Sequence, residues 1–297
     1  MTATKESLVL AEQARIDIKT SDDRRDAGLP LTIPEVKRFD NIAYGPANPG
    51  HLLDIYLPKQ RTGLVPIIIN IHGGGWFYGT KETYQFYGMS LAKQGFGVVN
   101  FNYRLPPEAE FPDELADVDR AFHWVADHAT DYHLDTQNVF IVGDSAGGQM
   151  ALQYLTILTN ATYRQLFGYQ LPKLTVRAAA LNCSATFIDQ ADLLGPTERS
   201  YFTDSALQEH DDLMHTERYL TRDLPPLFLM TANQDFIRDC TVRLDGFLIA
   251  KHIDHEFHSY GTEAQPRQHV FHCNIKDKLA RQCNQDELDF FSRYLVK

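Results

Sequence analysis

The pentapeptide Gly143-Asp144-Ser145-Ala146-Gly147 carries the clearest chemical signal in the chain. It directly follows the apolar run Asn138–Val142 and opens a segment of helical character. That is the setting of a G-x-S-x-G elbow, in which a sharp strand-to-helix turn lifts a serine hydroxyl above a sheet. Glycines two residues before and after the serine let strand and helix pass closely. The plainer alternative is a glycine-rich turn that cradles a phosphate. A helix N-terminus at Ser145 also presents backbone N–H groups to a developing anion. A second signal, His72-Gly73-Gly74-Gly75-Trp76, again follows a buried-strand pattern. Three glycines allow main-chain N–H groups to converge on one point with no side chain in the way. The tetrahedral intermediate of acyl transfer needs such donors for its oxyanion. Gly74, Gly75 and Ala146 are the expected three.

A serine hydroxyl is a weak nucleophile at neutral pH and needs a base, most often a histidine oriented by a carboxylate. On this kind of fold the chain order is serine, acid, histidine. The chain holds 12 histidines, so position must choose among them. His72, His123, His128 and His133 precede the serine, and His210 and His215 precede any late strand. His252, His255 and His258 belong to a helix end and the strand after it. Residues three apart on a strand face opposite sides, so these three do not converge on a metal, and their spacing matches no common ligand pattern. His269 and His272 follow the last strand, where a loop can reach back over the elbow. His269 is favoured and His272 is the alternative. The acid is expected at the end of the preceding strand, which selects Asp235. Asp239 suits the first turn of the next helix, where it favours the helix dipole.

These residues need a scaffold of alternating strands and helices. Val65–Ile71 is a continuous apolar run rich in β-branched residues, the signature of a strand buried on both faces. Phe96–Phe101 and Asn138–Val142 repeat it; 174–181 and Leu227–Thr231 do so more weakly. Val36–Tyr44 and Leu52–Leu57 read as earlier strands. Helices are expected over about 82–94, 114–128, 145–158, 238–251 and 286–295, and over 5–20, where Leu8, Ala11, Ala14, Ile16 and Ile18 fall loosely on one side. The polar stretch Ser21–Pro34 reads as a connector. This alternation predicts an α/β fold with a doubly wound sheet. Residues 185–222 break it with Gly195-Pro196 and a predicted amphipathic helix over 205–219, where a lid over the strand ends could sit.

The bulk numbers exclude other classes. With 297 residues, 43% hydrophobic and 23% charged, the chain is long enough to bury a sizeable core without disulfides. Its net charge of −11 disfavours nucleic acid as a partner. No run of 18 apolar residues exists to span a membrane, and the N-terminus lacks the apolar core of a secretory signal. The four cysteines, Cys183, Cys240, Cys273 and Cys283, fit no zinc or redox spacing. They are expected to be reduced in a cytoplasmic protein, which makes the sequons at Asn160 and Asn182 chance matches.

With those residues identified, the chain resembles the hormone-sensitive-lipase-like carboxylesterases of the α/β-hydrolase superfamily. The shared points are HGGGW at 72–76, NYRLPPE at 102–108, FP at 111–112, GDSAGG at 143–148, DFIRD at 235–239 and HVF at 269–271. The resemblance spans about residues 50–296. It implies a mostly parallel eight-stranded sheet with a small cap, the triad Ser145–Asp235–His269, and oxyanion donors at Gly74, Gly75 and Ala146. It also implies hydrolysis of small short-acyl esters with water and no cofactor, and a homodimer. The family's cap segments correspond to residues 1–35 and 185–222, within a single domain covering 1–297. The chain departs from the family pattern at Asn102, Phe236 and Val270, none of which supplies a reacting atom. An amidase or peptidase using the same triad, and a receptor that has lost turnover, are the alternative readings. Trp76, Phe77 and Tyr78 are expected either to wall the pocket or to pack the core.

Overall fold

The computed structural model describes residues 3–188 and 193–297. The chain begins with helix α1 (Lys5–Asp26), then strands β1 (Val36–Ala43), β2 (Leu52–Pro58) and β3 (Val65–Ile71). There follow α2 (Gln85–Ala92), β4 (Gly97–Phe101), α3 (Asp113–His128), β5 (Leu134–Asp144), α4 (Ala146–Thr159) and α5 (Ala161–Phe167). The second half holds β6 (Val176–Asn182), α6 (Asp204–Glu209), α7 (Asp211–Met214), β7 (Leu227–Ala232), α8 (Arg238–Lys251), β8 (His255–Tyr260) and α9 (Lys278–Ser292). One sheet of eight strands runs β1-β2-β4-β3-β5-β6-β7-β8. The pairs β1–β2 and β2–β4 are antiparallel and all the others parallel.

Alternation along the central strands builds two cores. Ile67, Ile69 and Ile71 face the layer of α3, α4 and α8, with Val118, Leu155 and Leu244. Ile68, Phe140 and Val142 face α2 and α9, with Met89, Phe290 and Phe291. Each such side chain contributes roughly 1.5–3 kcal/mol relative to exposure, so a one-residue slip of β3 against β5 would misplace the set. The register, Ile67 opposite Val139 and Ile71 opposite Gly143, brings the two glycine-rich turns to the same end of adjacent strands.

The structure corrects the expectations in four places. Helix α1 runs on to Asp26 through the stretch read as a connector, carried by the ion pairs Lys19–Asp23 and Asp22–Arg25. It buries only Ser7 and Ala11, while Val9, Leu10 and Ile16 are exposed. It docks instead by hydrogen bonds, from Arg15 Nε to Phe77 O at 2.6 Å and from Tyr78 Oη to Asp22 Oδ2 at 2.9 Å. The helix expected over 205–219 breaks into α6, α7 and a 3-10 turn at Thr216–Arg218. The Leu213 carbonyl, which a continuous helix would use internally, accepts from Gln153 Nε2 at 2.7 Å and from Tyr163 Oη at 2.5 Å. Part of the surrounding segment, 189–192, lies outside the described residues. Helix α5 was not anticipated, although Asn160 caps it by accepting from Tyr163 N at 3.0 Å and Gly168 ends it in the left-handed region. Helix α9 starts eight residues before the expected 286, because Asp277 caps it by accepting from Leu279 N at 2.8 Å. Among the described residues no helix is long and apolar enough to cross a membrane.

Candidate active site

Ser145 sits between β5 and α4 with φ 53° and ψ −121°, a conformation that a non-glycine residue holds only under constraint. The constraint is local. Ser145 N donates to Asn182 O at 2.9 Å, and Ser145 O accepts from Ala185 N at 3.0 Å. The flanking glycines are required by close approach. A Cβ on Gly147 would lie 2.0 Å from Ile71 O, and one on Gly143 would lie 2.3 Å from Gly147 O. Strand, helix and neighbouring strand therefore meet at contact distance, and the hydroxyl is left projecting.

Of the two candidate histidines, only His269 reaches it. His269 Nε2 is 2.9 Å from Ser145 Oγ, and Nδ1 is 2.7 Å from Asp235 Oδ1. The loops bearing these groups are clamped together. Gln234 N donates to Arg267 O at 3.0 Å, and Arg267 N to Asn233 Oδ1 at 2.9 Å. Asp235 also accepts from Ile237 N at 3.0 Å and Thr231 Oγ1 at 3.2 Å. Burial resists its ionisation, but the hydrogen bond and charge of His269 outweigh this and hold the carboxyl below its ordinary range. His272 is fully buried with Nδ1 unpartnered, and burial depresses it to about 3. Asp239 lies in the first turn of α8. His252 ends that helix, and His255 and His258 lie on β8.

The glycine loop after β3 faces the same hydroxyl's helix. Gly74 has φ 130°, and a Cβ there would fall 1.9 Å from Tyr78 O. Its carbonyl accepts from Phe77 N at 3.1 Å and Tyr78 N at 2.9 Å, closing a tight turn. Gly75 and Trp76 are also left-handed, at φ 59° and 62°. Among the described residues the N–H groups of Gly74, Gly75 and Ala146 donate to no group in the chain. The base of the loop is rigid. Tyr103 Oη donates to His72 O at 2.7 Å, and the two rings stack at 4.0 Å. Tyr84 Oη accepts from Gly73 N at 3.1 Å and donates to Asp144 Oδ2 at 2.7 Å. Burial lifts that carboxyl to about 6 against the hydrogen bond from Tyr84. Trp76 belongs to the main hydrophobic core, Phe77 is buried, and Tyr78 is half-buried.

Several residues at the site gave no signal in the sequence. Gln149 accepts from Trp76 Nε1 at 3.0 Å and donates to Gln153, tying the glycine loop to α4. The Gln149 position lines a narrow cavity with Leu152, Thr186, Ile188, Met214 and Leu220. Asn182 Nδ2 donates to Glu287 Oε2 at 2.7 Å, linking the elbow to α9. The Cys183 thiol lies within 4.8 Å of Asp235 and His269 ligand atoms, forming one of two clusters with three potential metal ligands among the described residues. In that cluster both imidazole nitrogens are already engaged. In the other, Asp144–His272–Cys273, burial keeps the thiol protonated and therefore a poor ligand. All four cysteines are free and buried.

A parallel-centred sheet with a half-buried serine on a strained strand-to-helix turn defines an α/β-hydrolase. The chain belongs to the BD-FAE family of hormone-sensitive-lipase-like α/β-hydrolases, whose family profile matches residues 53–240. It is similar to a protein named as an alpha/beta hydrolase in Acanthamoeba polyphaga mimivirus, 30% identical over 62% of this chain and 56% of the relative. It is also similar to carboxylesterase NlhH of Mycobacterium tuberculosis, 27% identical over 62% of this chain and 61% of the relative. The chain thus spans less than two thirds of the length of these curated relatives. Among solved structures, esterase B from Lactobacillus rhamnosis superposes with a TM-score of 0.87 at 25% identity, covering 97% of this chain and 95% of that one. A form of that enzyme inhibited by a C4-C4 tributyrin phosphonate gives 0.87 at 26% identity, over 98% and 96%.

Proposed function

We propose that the protein is a serine carboxylic ester hydrolase that cleaves small short-acyl esters through an acyl-enzyme on Ser145. The observation that carries this reading is the continuous path from Ser145 Oγ to His269 at 2.9 Å and on to Asp235 at 2.7 Å. The substrate carbonyl oxygen takes the N–H groups of Gly74, Gly75 and Ala146. His269 accepts the hydroxyl proton as Ser145 attacks, and Asp235 fixes the imidazole tautomer and balances the imidazolium. His269 then gives that proton to the leaving alcohol, and water activated by the same nitrogen releases the acid. Each oxyanion donor is worth about 2.7–4 kcal/mol in the transition state.

In this reading the acyl group is short. The carboxylesterase name of NlhH and the tributyrin phosphonate on esterase B point the same way. The described parts of 1–35 and 185–222 form the cap in this reading, within one domain. Contacts of α1 with the 3-10 turn at Glu198–Ser200 support it. A cytoplasmic location accords with four buried free thiols, and light scattering on the purified chain tests the homodimer. The function is tested with aryl esters of increasing acyl length. The expected result is turnover that falls as the acyl lengthens and is abolished in Ser145→Ala. Turnover unchanged in that variant overturns the reading, and a matched amide cleaved faster than its ester moves it to an amidase.

A further inference from the structure

Phe236 stands between the acid Asp235 and the buried Ile237, and it is 77% exposed. Its ring leans on the imidazole of His269, with centroids 4.5 Å apart and planes at 55°. Its place is fixed on both sides, because Ile237 N donates to Asp235 Oδ1 at 3.0 Å and Arg238 N to Asp235 O at 3.2 Å. A single exposed apolar side chain is ordinary in itself, but this one stands against the imidazole of the site. The chemistry of the site says what it meets there. His269 Nε2 must touch the leaving-group oxygen to protonate it as the C–O bond breaks. The first atoms of the alcohol therefore lie beside the imidazole, and the ring in contact with that imidazole is Phe236.

We propose that Phe236 is the contact for the alcohol half of the substrate, and that the protein selects esters whose alcohol bears an aromatic or extended apolar group. This rests on the esterase reading above. It predicts a kinetic asymmetry. The alcohol departs before water enters, so Phe236 acts on acylation, while deacylation of a common acetyl-enzyme does not involve the alcohol.

The test compares benzyl acetate with methyl acetate in the wild type, Phe236→Ala and Phe236→Leu, with Ser145→Ala as the control. Hydrolysis of methyl acetate by the wild type and its loss in Ser145→Ala establish the esterase reading independently. In Phe236→Ala the ratio of kcat/KM for benzyl over methyl acetate is expected to fall roughly three- to tenfold, the range of an aromatic contact. Phe236→Leu is expected to fall between the two. The position is exposed, so both variants should keep the wild-type melting temperature. An unchanged ratio overturns the proposal. So does an equal loss for both esters, or slower breakdown of the acetyl-enzyme, since either would mean that the ring acts through His269.

Discussion

Glu287, on the last helix, accepts from Asn182 Nδ2 at 2.7 Å, and the carbonyl of the same asparagine accepts from Ser145 N at 2.9 Å. A buried carboxyl thus holds the strand end that holds the elbow. Tyr87 Oη also donates to it at 2.7 Å. Burial lifts Glu287 from 4.5 to about 7 against these two hydrogen bonds, with the charge of Asp144 adding to the rise.

The consequence is a stability that depends on pH. The folded state holds this proton more tightly than the unfolded chain. The stabilisation is therefore complete below about 4.5 and lost as pH rises through about 7. The full effect is of order 3 kcal/mol. Calorimetry of the wild type and Glu287→Gln at pH 5 and pH 8 reads it. The fall in melting temperature between the two pH values should shrink in the variant, with the remainder coming from other carboxyls that burial raises, among them Asp144 and the fully buried Glu114. Equal falls would contradict the account.

The elbow glycines allow a stability prediction. Gly147→Ala would place a methyl 2.0 Å from the Ile71 carbonyl, and backbone cannot swing aside as a flexible side chain can. Overpacking of this kind costs typically 1–3 kcal/mol and here should reach the upper end or beyond. Denaturant unfolding should show a lower midpoint at unchanged slope, with activity falling alongside. A neutral result would mean that β3 and α4 are further apart than described.

Triad substitutions separate chemistry from folding. His269→Ala should lower kcat by at least 10³-fold, with the melting temperature little changed. Asp235→Asn should lose about 10⁴-fold by favouring the wrong tautomer, leaving the residual rate supported by the oxyanion donors. Steady-state kinetics on one short-chain ester decides this. Losses below tenfold would remove these residues from the reaction.

Gln149 links the glycine loop to the helix that follows Ser145. Gln149→Leu strands the buried Trp76 indole N–H and the Gln153 carboxamide, each of which loses a partner. Leaving buried polar groups unpaired costs about 1–3 kcal/mol. Because Trp76 follows Gly74 and Gly75, kcat should fall more than KM rises, by about tenfold. A change in KM alone would point to a lost binding contact.

Much of this was legible before any coordinates. The strand Val65–Ile71 and the helix Arg238–Lys251 have the expected bounds, because a continuous β-branched run and the alternation of strands with helices are readable along the chain. Ser145, Asp235 and His269 could be chosen because each follows a recognisable strand end. His269 was already favoured over His272 in the sequence; what the sequence did not show is the left-handed Val270 between them, after which His272 is buried away from Ser145. The roles of Gln149, Asn182, Cys183 and Glu287 were invisible for a different reason. A buried polar side chain earns its place through a partner far along the chain, and Asn182 and Glu287 stand 105 residues apart. The broken helix at 204–214 was hidden likewise, its Leu213 carbonyl being taken by Gln153 and Tyr163.

The central claim is that Ser145 becomes covalently acylated, and an alkylphosphonate ester tests it most directly by stopping the reaction at that atom. Incubation with a butylphosphonate p-nitrophenyl ester, followed by intact-mass and peptide-mapping spectrometry, should show one adduct per chain on Ser145. Its appearance should match the loss of esterase activity, and Ser145→Ala should stay unlabelled. Full inactivation with the adduct on another residue, or full activity with Ser145 modified, would contradict the account.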